Sequence, residues 1–109
     1  MPDRLWQYKI NLSTNLIMIV GGYLSEKSVE YRSLGQTESK IADINPEGTP
    51  LIRKLARRLL SLKDVKSVKF WQDRVFLTIA NKTSREEAEQ VTRSTMKILM
   101  QYHLKSEGD

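Results

Sequence analysis

Residues 50–63 separate into an apolar half and a basic half when they are wound as a helix, and this separation limits how the chain can fold. Thr49 can cap such a helix, and Pro50 suits its first position, where a backbone N–H would be unpaired anyway. The apolar half contains Leu51, Ile52, Leu55, Ala56, Leu59, Leu60 and Leu62, and the polar half contains Arg53, Lys54, Arg57, Arg58 and Ser61. An amphipathic helix of this kind must bury its apolar half against a second layer. We expect it to end near Lys63-Asp64.

The segments on either side of this helix have the patterns of strands. Residues 65–71 and 74–80 alternate with period two, and the turn between them falls at Gln72-Asp73. Earlier in the chain, the apolar run 16–20 precedes Gly21-Gly22, which predicts a hairpin whose second strand is residues 23–31. The core-facing residues of the later pair are then Val68, Phe70, Val75, Leu77 and Ile79.

A second helix is predicted after Thr83. Ser84 and Glu87 have the spacing of a capping box, and the apolar stripe that follows contains Ala88, Val91, Thr95, Ile98, Leu99 and Tyr102. The chain is therefore predicted to be an α+β protein, a small two-layer sandwich of a mostly antiparallel sheet with two helices on one face, in the order β-β-α-β-β-α. We expect one domain over 1–109, with a core from about 11 to 103, an N-terminal arm at 1–10 and a frayed tail at 105–109.

The composition argues against a catalytic or metal-binding function. The 109 residues include no cysteine and one histidine, His103, so thiolate sites and histidine clusters cannot form within one chain. The acidic residues are densest at Glu86, Glu87 and Glu89, where they complement the dipole of a helix start. We therefore predict no catalytic residue, no metal and no cofactor. The longest apolar run near the N-terminus is too short for a membrane span, and we expect a cytoplasmic protein.

The positive charge is concentrated in one part of the chain. Residues 50–74 contain eight Lys or Arg and two acidic residues, whereas the rest contains ten basic and eleven acidic residues. A basic helix face can bind phosphates or an acidic protein, or it can simply be solvated. The candidate partner-binding residues are Arg53, Lys54, Arg57, Arg58, Lys69, Trp71 and Arg74. Trp71 is either an exposed anchor or packs beneath Trp6 or Tyr8.

A second apolar line lies outside the core stripe of the last helix. Met96, Met100 and Leu104 recur at intervals of four residues. This line is a candidate protein or dimer interface, and the alternative is that the N-terminal arm covers it. The oligomeric state is left open.

The stretch Pro50–Thr78 resembles the N-terminal domain of Nfu/NifU-type iron–sulfur scaffold proteins. That family has a helix followed by a phrase like V-K-S-V/I-F-x-x-x-D-F-I-x-V, and residues 64–78 read D-V-K-S-V-K-F-W-Q-D-R-V-F-L-T. The V-K-S-V core and Asp73 align without a gap. Asn15 and the apolar run after it are similar to the start of the family's first strand, and the order of elements agrees over roughly residues 11–102.

The resemblance has limits, and they shape what it implies. The family's Thr-Pro-Asn-Pro-Asn opening is reduced to Ser13-Thr14-Asn15. The family carries its cluster on a C-x-x-C motif in a separate domain, and this sequence contains no cysteine. The resemblance thus implies a fold and a role in iron–sulfur cluster assembly or partner docking, without a ligand residue here. We expect a non-enzymatic accessory or docking module whose partner is an acidic protein or such a scaffold. One alternative is a small basic nucleic-acid-binding protein that uses the 50–63 helix, and another is an enzyme subunit or regulator whose chemistry lies on a partner chain.

Overall fold

The computed structural model describes residues 6–33, 41–43 and 50–107 and confirms the α+β class. Four extended elements form an antiparallel sheet, and two helices pack against it. The elements in chain order are β1 (Gln7–Asn11), β2 (Leu16–Ser33), β3 (Ile41–Asp43), α1 (Pro50–Leu60), β4 (Val65–Ile79) and α2 (Arg85–Glu107). The predicted order is matched only roughly, because the short β3 precedes α1.

The element β4 doubles back on itself. A straight strand of 15 residues would be about 50 Å long at about 3.3 Å per residue, whereas the longest dimension of the molecule is 38 Å. The two ends meet, since the Ala80 N–H donates to the Asp64 carbonyl oxygen at 2.9 Å. The reversal occurs at Gln72, whose φ of 57° lies in the left-handed region. The hairpin predicted around Gln72-Asp73 is therefore confirmed.

The element β2 runs around the tip of this hairpin. Residues 16–20 pair with 74–78, and residues 29–32 pair with 67–70, both antiparallel. Because the two arms of β4 run in opposite directions, β2 must reverse between Val20 and Val29, and Ser25 lies opposite Gln72 at the tip. The two halves of β2 thus flank the β4 hairpin on opposite sides.

The hairpin predicted at Gly21-Gly22 is wrong, because 16–20 and 23–31 are separated by β4. Neither glycine has a positive φ, so neither serves as a tight-turn residue. At Gly21, glycine is needed because there is no room for a side chain. The Trp6 indole packs so close to its Cα that an added β-carbon would overlap the ring. A glycine pair can mark close packing as well as a turn, and the sequence alone does not separate the two.

The sheet buries one side beneath the helices. β1 pairs with residues 16–20 and β3 with residues 31–33, so these two short strands lie beside opposite halves of β2. Helix α1 contacts β4 and β2, and α2 contacts β2 and β1. The fully buried side chains on this side of the sheet include Ile17, Ile19, Val29, Tyr31, Val68, Phe70, Val75, Leu77 and Ile79. The alternation predicted for residues 65–80 is confirmed.

Helix α1 buries the predicted stripe with two exceptions, Leu51 and Leu62, and Leu62 lies beyond the helix end, partly buried against the core. Ile52, Leu55, Ala56, Leu59 and Leu60 are buried at the i, i+3, i+4, i+7, i+8 spacing of a complete apolar face. Leu51 is 50% exposed, so its predicted place in the core is wrong. It precedes the stripe by one residue and lies at its margin in the first turn. The helix ends at Leu60, slightly earlier than predicted, and Asp64 then adopts a φ of 72°.

Helix α2 begins with the predicted capping box. The Ser84 N–H donates to Glu87 Oε1 at 3.0 Å, and the Glu87 N–H donates to Ser84 Oγ at 3.1 Å. The hydrogen bonds from Ser84 lower the pKa of Glu87 below its ordinary value. The predicted stripe is buried as far as Leu99, and Tyr102 is half-buried.

The predicted chain-end segments overlap regular elements. Residues 7–10 belong to β1, and α2 extends to Glu107. The rest of the predicted arm and tail, residues 1–5 and 108–109, lies outside the described residues.

Candidate binding surfaces

The four basic residues predicted on the α1 helix are all exposed. Arg53, Lys54, Arg57 and Arg58 form the side of α1 that faces away from the buried stripe. We call this set the helix face. Arg53 with Arg57, and Lys54 with Arg58, are like-charge pairs four residues apart, and such pairs disfavour a helix by about 0.2–0.5 kcal/mol each. The helix face is therefore not arranged for the stability of α1.

The charges of the helix face are only partly compensated. Within the described part of the chain, Lys54 and Arg57 make no ion pair or hydrogen bond through their side chains. Arg58 donates from its guanidinium to Gln101 Oε1 of α2 at 3.4 Å, a long contact between neutral and charged groups. The ammonium of Lys63, beyond the helix, lies 3.5 Å from Glu87 Oε2 and so is paired.

The structure extends the basic surface onto α2. Arg93, Lys97 and Gln101 are exposed and follow one another at intervals of four residues, and Gln101 is the residue that Arg58 contacts. Sequence reasoning missed Arg93 and Lys97 because it considered charge one helix at a time. The contact between α1 and α2 is a tertiary property that the charge count along the chain does not contain.

The side of the sheet opposite the helices is open within the described residues. Its side chains alternate with the buried ones, and cross-strand partners share a side of the sheet. Met18 is opposite Phe76, Val20 is opposite Arg74, and Lys9 is opposite Met18. We call the outward residues the open face: Lys9, Leu16, Met18, Val20, Glu30, Arg32, Ser67, Lys69, Trp71, Arg74, Phe76 and Thr78.

The open face combines half-buried apolar side chains with exposed bases. Leu16, Met18, Val20 and Phe76 are half-buried, whereas Lys9, Lys69 and Arg74 are exposed. The Lys69 ammonium lies 5.8 Å from the centre of the Phe76 ring, which is a cation–π distance. The Arg74 Nε lies 3.9 Å from Asp73 Oδ1, an exposed pair with little effect on stability.

Trp71 belongs to the open face. It is 39% exposed, and it follows Phe70, which is fully buried on the helix side. The β4 hairpin places it beside Arg74. Trp6 instead packs against the core and covers Gly21. Tyr8 pairs with Ile19 on the helix side and is also exposed. The structure therefore favours an exposed position for Trp71 over packing beneath Trp6 or Tyr8.

The predicted partner-binding residues do not form one site. Arg53, Lys54, Arg57 and Arg58 lie on the helix layer, while Lys69, Trp71 and Arg74 lie on the other side of the sheet. The positive segment 50–74 is thus divided between two surfaces, because α1 packs over the buried side of the hairpin that follows it. Whether either set binds a partner stays a prediction.

The predicted apolar line on α2 is divided in a similar way. Met96 is partly buried against the core, whereas Met100 is 49% exposed. The side chain of Leu104 lies outside the described residues, as does that of His103. Of the two described members of the line, Met100 is the more exposed.

The described residues offer neither a metal-binding cluster nor a helix suited to crossing a membrane. No group of three or more His, Asp or Glu side chains comes together among them. Neither α1 nor the described part of α2 combines the length and apolar character of a membrane span. A shallow depression of about 260 Å³ lies at the edge of the open face, lined by Gln7, Tyr8, Lys9, Met18 and Val20.

Comparison of the chain with protein-family models, with curated proteins and with solved structures found no match.

Proposed function

We propose that this chain is a non-enzymatic docking module that binds an acidic protein surface through the helix face. The observation that carries the proposal is the exposure of four bases on one side of α1, two of which have no partner in the described part of the chain. Two like-charge pairs at i, i+4 oppose the helix that carries them. An acidic partner would relieve this repulsion.

The resemblance of Pro50–Thr78 to the N-terminal domain of Nfu/NifU-type proteins supports one class of partner. On that basis the acidic surface belongs to a cysteine-rich iron–sulfur scaffold, and this chain is an accessory in cluster assembly. The chain itself contributes no cysteine ligand. The identity of the partner as a scaffold depends on the motif at Pro50–Thr78. Docking to an acidic surface depends on the exposed bases of the helix face.

The test is affinity capture from the native host with wild-type protein and with the double variant Arg53→Glu, Arg57→Glu. The matched control is Lys82→Glu with Arg85→Glu, which makes the same change in charge at two exposed positions outside α1. We expect the wild type and the control to retain the same partner and the α1 variant to lose it, with all three folded by circular dichroism. Equal retention by all three proteins would contradict docking through the helix face.

Nucleic-acid binding through the same surface is the second candidate function. The observation that favours it is the continuation of the basic surface onto Arg93 and Lys97 of α2, which widens it beyond one helix. Phosphate binding would give a log–log salt slope of about −0.7 to −0.9 per phosphate contacted. If the partner is instead a protein, the capture experiment identifies it, and the double variant of α1 leaves nucleic-acid affinity unchanged.

A further inference from the structure

The open face has the composition of a stacking platform rather than of a solvated sheet surface. Two aromatic side chains, Trp71 and Phe76, lie on the two neighbouring arms of β4, in the middle of the sheet. Trp71 is beside Arg74, which is two residues from Phe76, so the aromatic residues are diagonal neighbours about 7–8 Å apart. Aromatic residues on adjacent strands of an open sheet are the arrangement on which proteins stack two or three unpaired bases.

The charges around these aromatic residues favour a polyanion. Lys9, Lys69 and Arg74 are exposed on the open face. Neither Lys9 nor Lys69 makes an ion pair within the described residues, and Lys69 is already held over the Phe76 ring. The acids beside them are Asp73, whose Oδ1 lies 3.9 Å from Arg74 Nε, and Glu30, which is opposite Lys69 and lies 4.0 Å from Arg32. With Arg32 included, four bases stand against two acids among the described residues, so the net charge beside the platform is positive.

A second copy of this chain fits the face less well. Two copies placed sheet to sheet would bring two sets of the same bases together at the rim of the contact, which costs affinity. A nucleic acid supplies flat apolar bases for Trp71 and Phe76 and phosphates for Lys69 and Arg74.

Hydroxyl groups on the same face point to RNA. Thr78 and Ser67 lie next to Phe76 and Lys69 along the two arms of β4, and Thr78 is exposed. A hydroxyl side chain can both donate to and accept from a ribose 2′-hydroxyl. We propose that the open face binds single-stranded RNA, with bases stacked on Trp71 and Phe76 and phosphates held by Lys69 and Arg74. This site is separate from the helix face of the proposed function.

The test is a titration of a fluorescein-labelled ten-residue oligouridylate followed by anisotropy. Loss of one stacked base by Trp71→Ala should weaken affinity about 5- to 100-fold. Lys69→Ala and Arg74→Ala should each make the log–log salt slope shallower by about 0.7. Fluorescence of Trp71, read in a Trp6→Phe background, should be quenched on binding.

The matched controls lie outside the open face. Lys82→Ala removes one exposed charge in the turn after β4 and Leu51→Ala removes one exposed apolar side chain of α1, so both should leave the affinity within about twofold of wild type. Affinity unchanged by Trp71→Ala, or reduced as much by Lys82→Ala as by Lys69→Ala, would overturn the proposal. Equal affinity for the ten-residue oligothymidylate would overturn the assignment to RNA. Loss of RNA binding in the Arg53→Glu, Arg57→Glu variant alone would place nucleic acid on the helix face instead.

Discussion

The two sides of the sheet are built from the same strands and differ in every other respect. On the helix side, Leu77 and its neighbours are fully buried in a mainly apolar layer. On the open face, the alternate residues of the same strands are half-buried aliphatic and aromatic side chains among exposed bases. Burial of the side chains on the helix side stabilises the fold. The open face exposes apolar and aromatic surface together with charge, and such surfaces are where binding is expected.

Leu77 and Thr78 give the largest expected contrast, because they are adjacent in β4 and point to opposite sides of the sheet. Leu77 is fully buried, so Leu77→Ala should lower the free energy of unfolding by about 2–5 kcal/mol. Thr78 is exposed, and Thr78→Ala should change it by less than about 0.5 kcal/mol. Urea denaturation measures both. A similar loss of unfolding free energy at the two positions would mean that the open face is covered in the folded protein.

Gly21 tests the packing that replaces the expected hairpin. A β-carbon at Gly21 overlaps the Trp6 indole, so Gly21→Ala must displace the ring or shift β1. We expect a loss of about 1–3 kcal/mol, the usual cost of overpacking. Trp6 fluorescence should shift toward the solvent-exposed wavelength in a Trp71→Phe background. Unchanged stability together with an unchanged spectrum would show that Trp6 does not cover Gly21.

These particulars show what the sequence can and cannot predict. The period-two alternation of residues 65–80 and the turn at Gln72 were predictable. Alternating apolar and polar residues are visible in the local sequence, and they directly indicate which side chains of a strand are buried. The path of β2 around the β4 hairpin was not. Residues 16–20 and 29–32 each need a strand partner, and local patterning does not say whether they pair with each other or with β4.

The candidate sites were predictable to a similar degree. The exposure of Arg53, Lys54, Arg57 and Arg58 follows from the helical wheel, and the exposure of Trp71 follows from strand alternation. The division of the basic segment between two surfaces depends on α1 packing over β4, and the contact of α1 with α2 brings in Arg93 and Lys97. Both are tertiary contacts between distant segments.

Thr95 on the helix side should give a smaller effect on stability. Its hydroxyl is fully buried in the core and has no hydrogen-bond partner within the described residues. An unsatisfied buried hydroxyl is destabilising, so Thr95→Val should raise the free energy of unfolding by about 1 kcal/mol. Thermal denaturation provides the measurement. A loss of stability would mean that the hydroxyl is paired.

Met100 should give the smallest effect on stability. It is 49% exposed on α2, so Met100→Glu should change the free energy of unfolding by less than about 0.5 kcal/mol. If the apolar line that begins at Met96 meets a partner or a second copy, the same variant should weaken that assembly in sedimentation velocity. Unchanged sedimentation and unchanged partner capture would contradict the hypothesis that this line is an interface.

Amide chemical-shift mapping with the ten-residue oligouridylate tests most directly whether the two surfaces have different partners. We predict that RNA shifts the backbone resonances of Lys69, Trp71 and Phe76 and leaves those of Lys54 and Arg57 in place. Shifts confined to α1 and α2, with the open face unaffected, would contradict the assignment of RNA to the sheet.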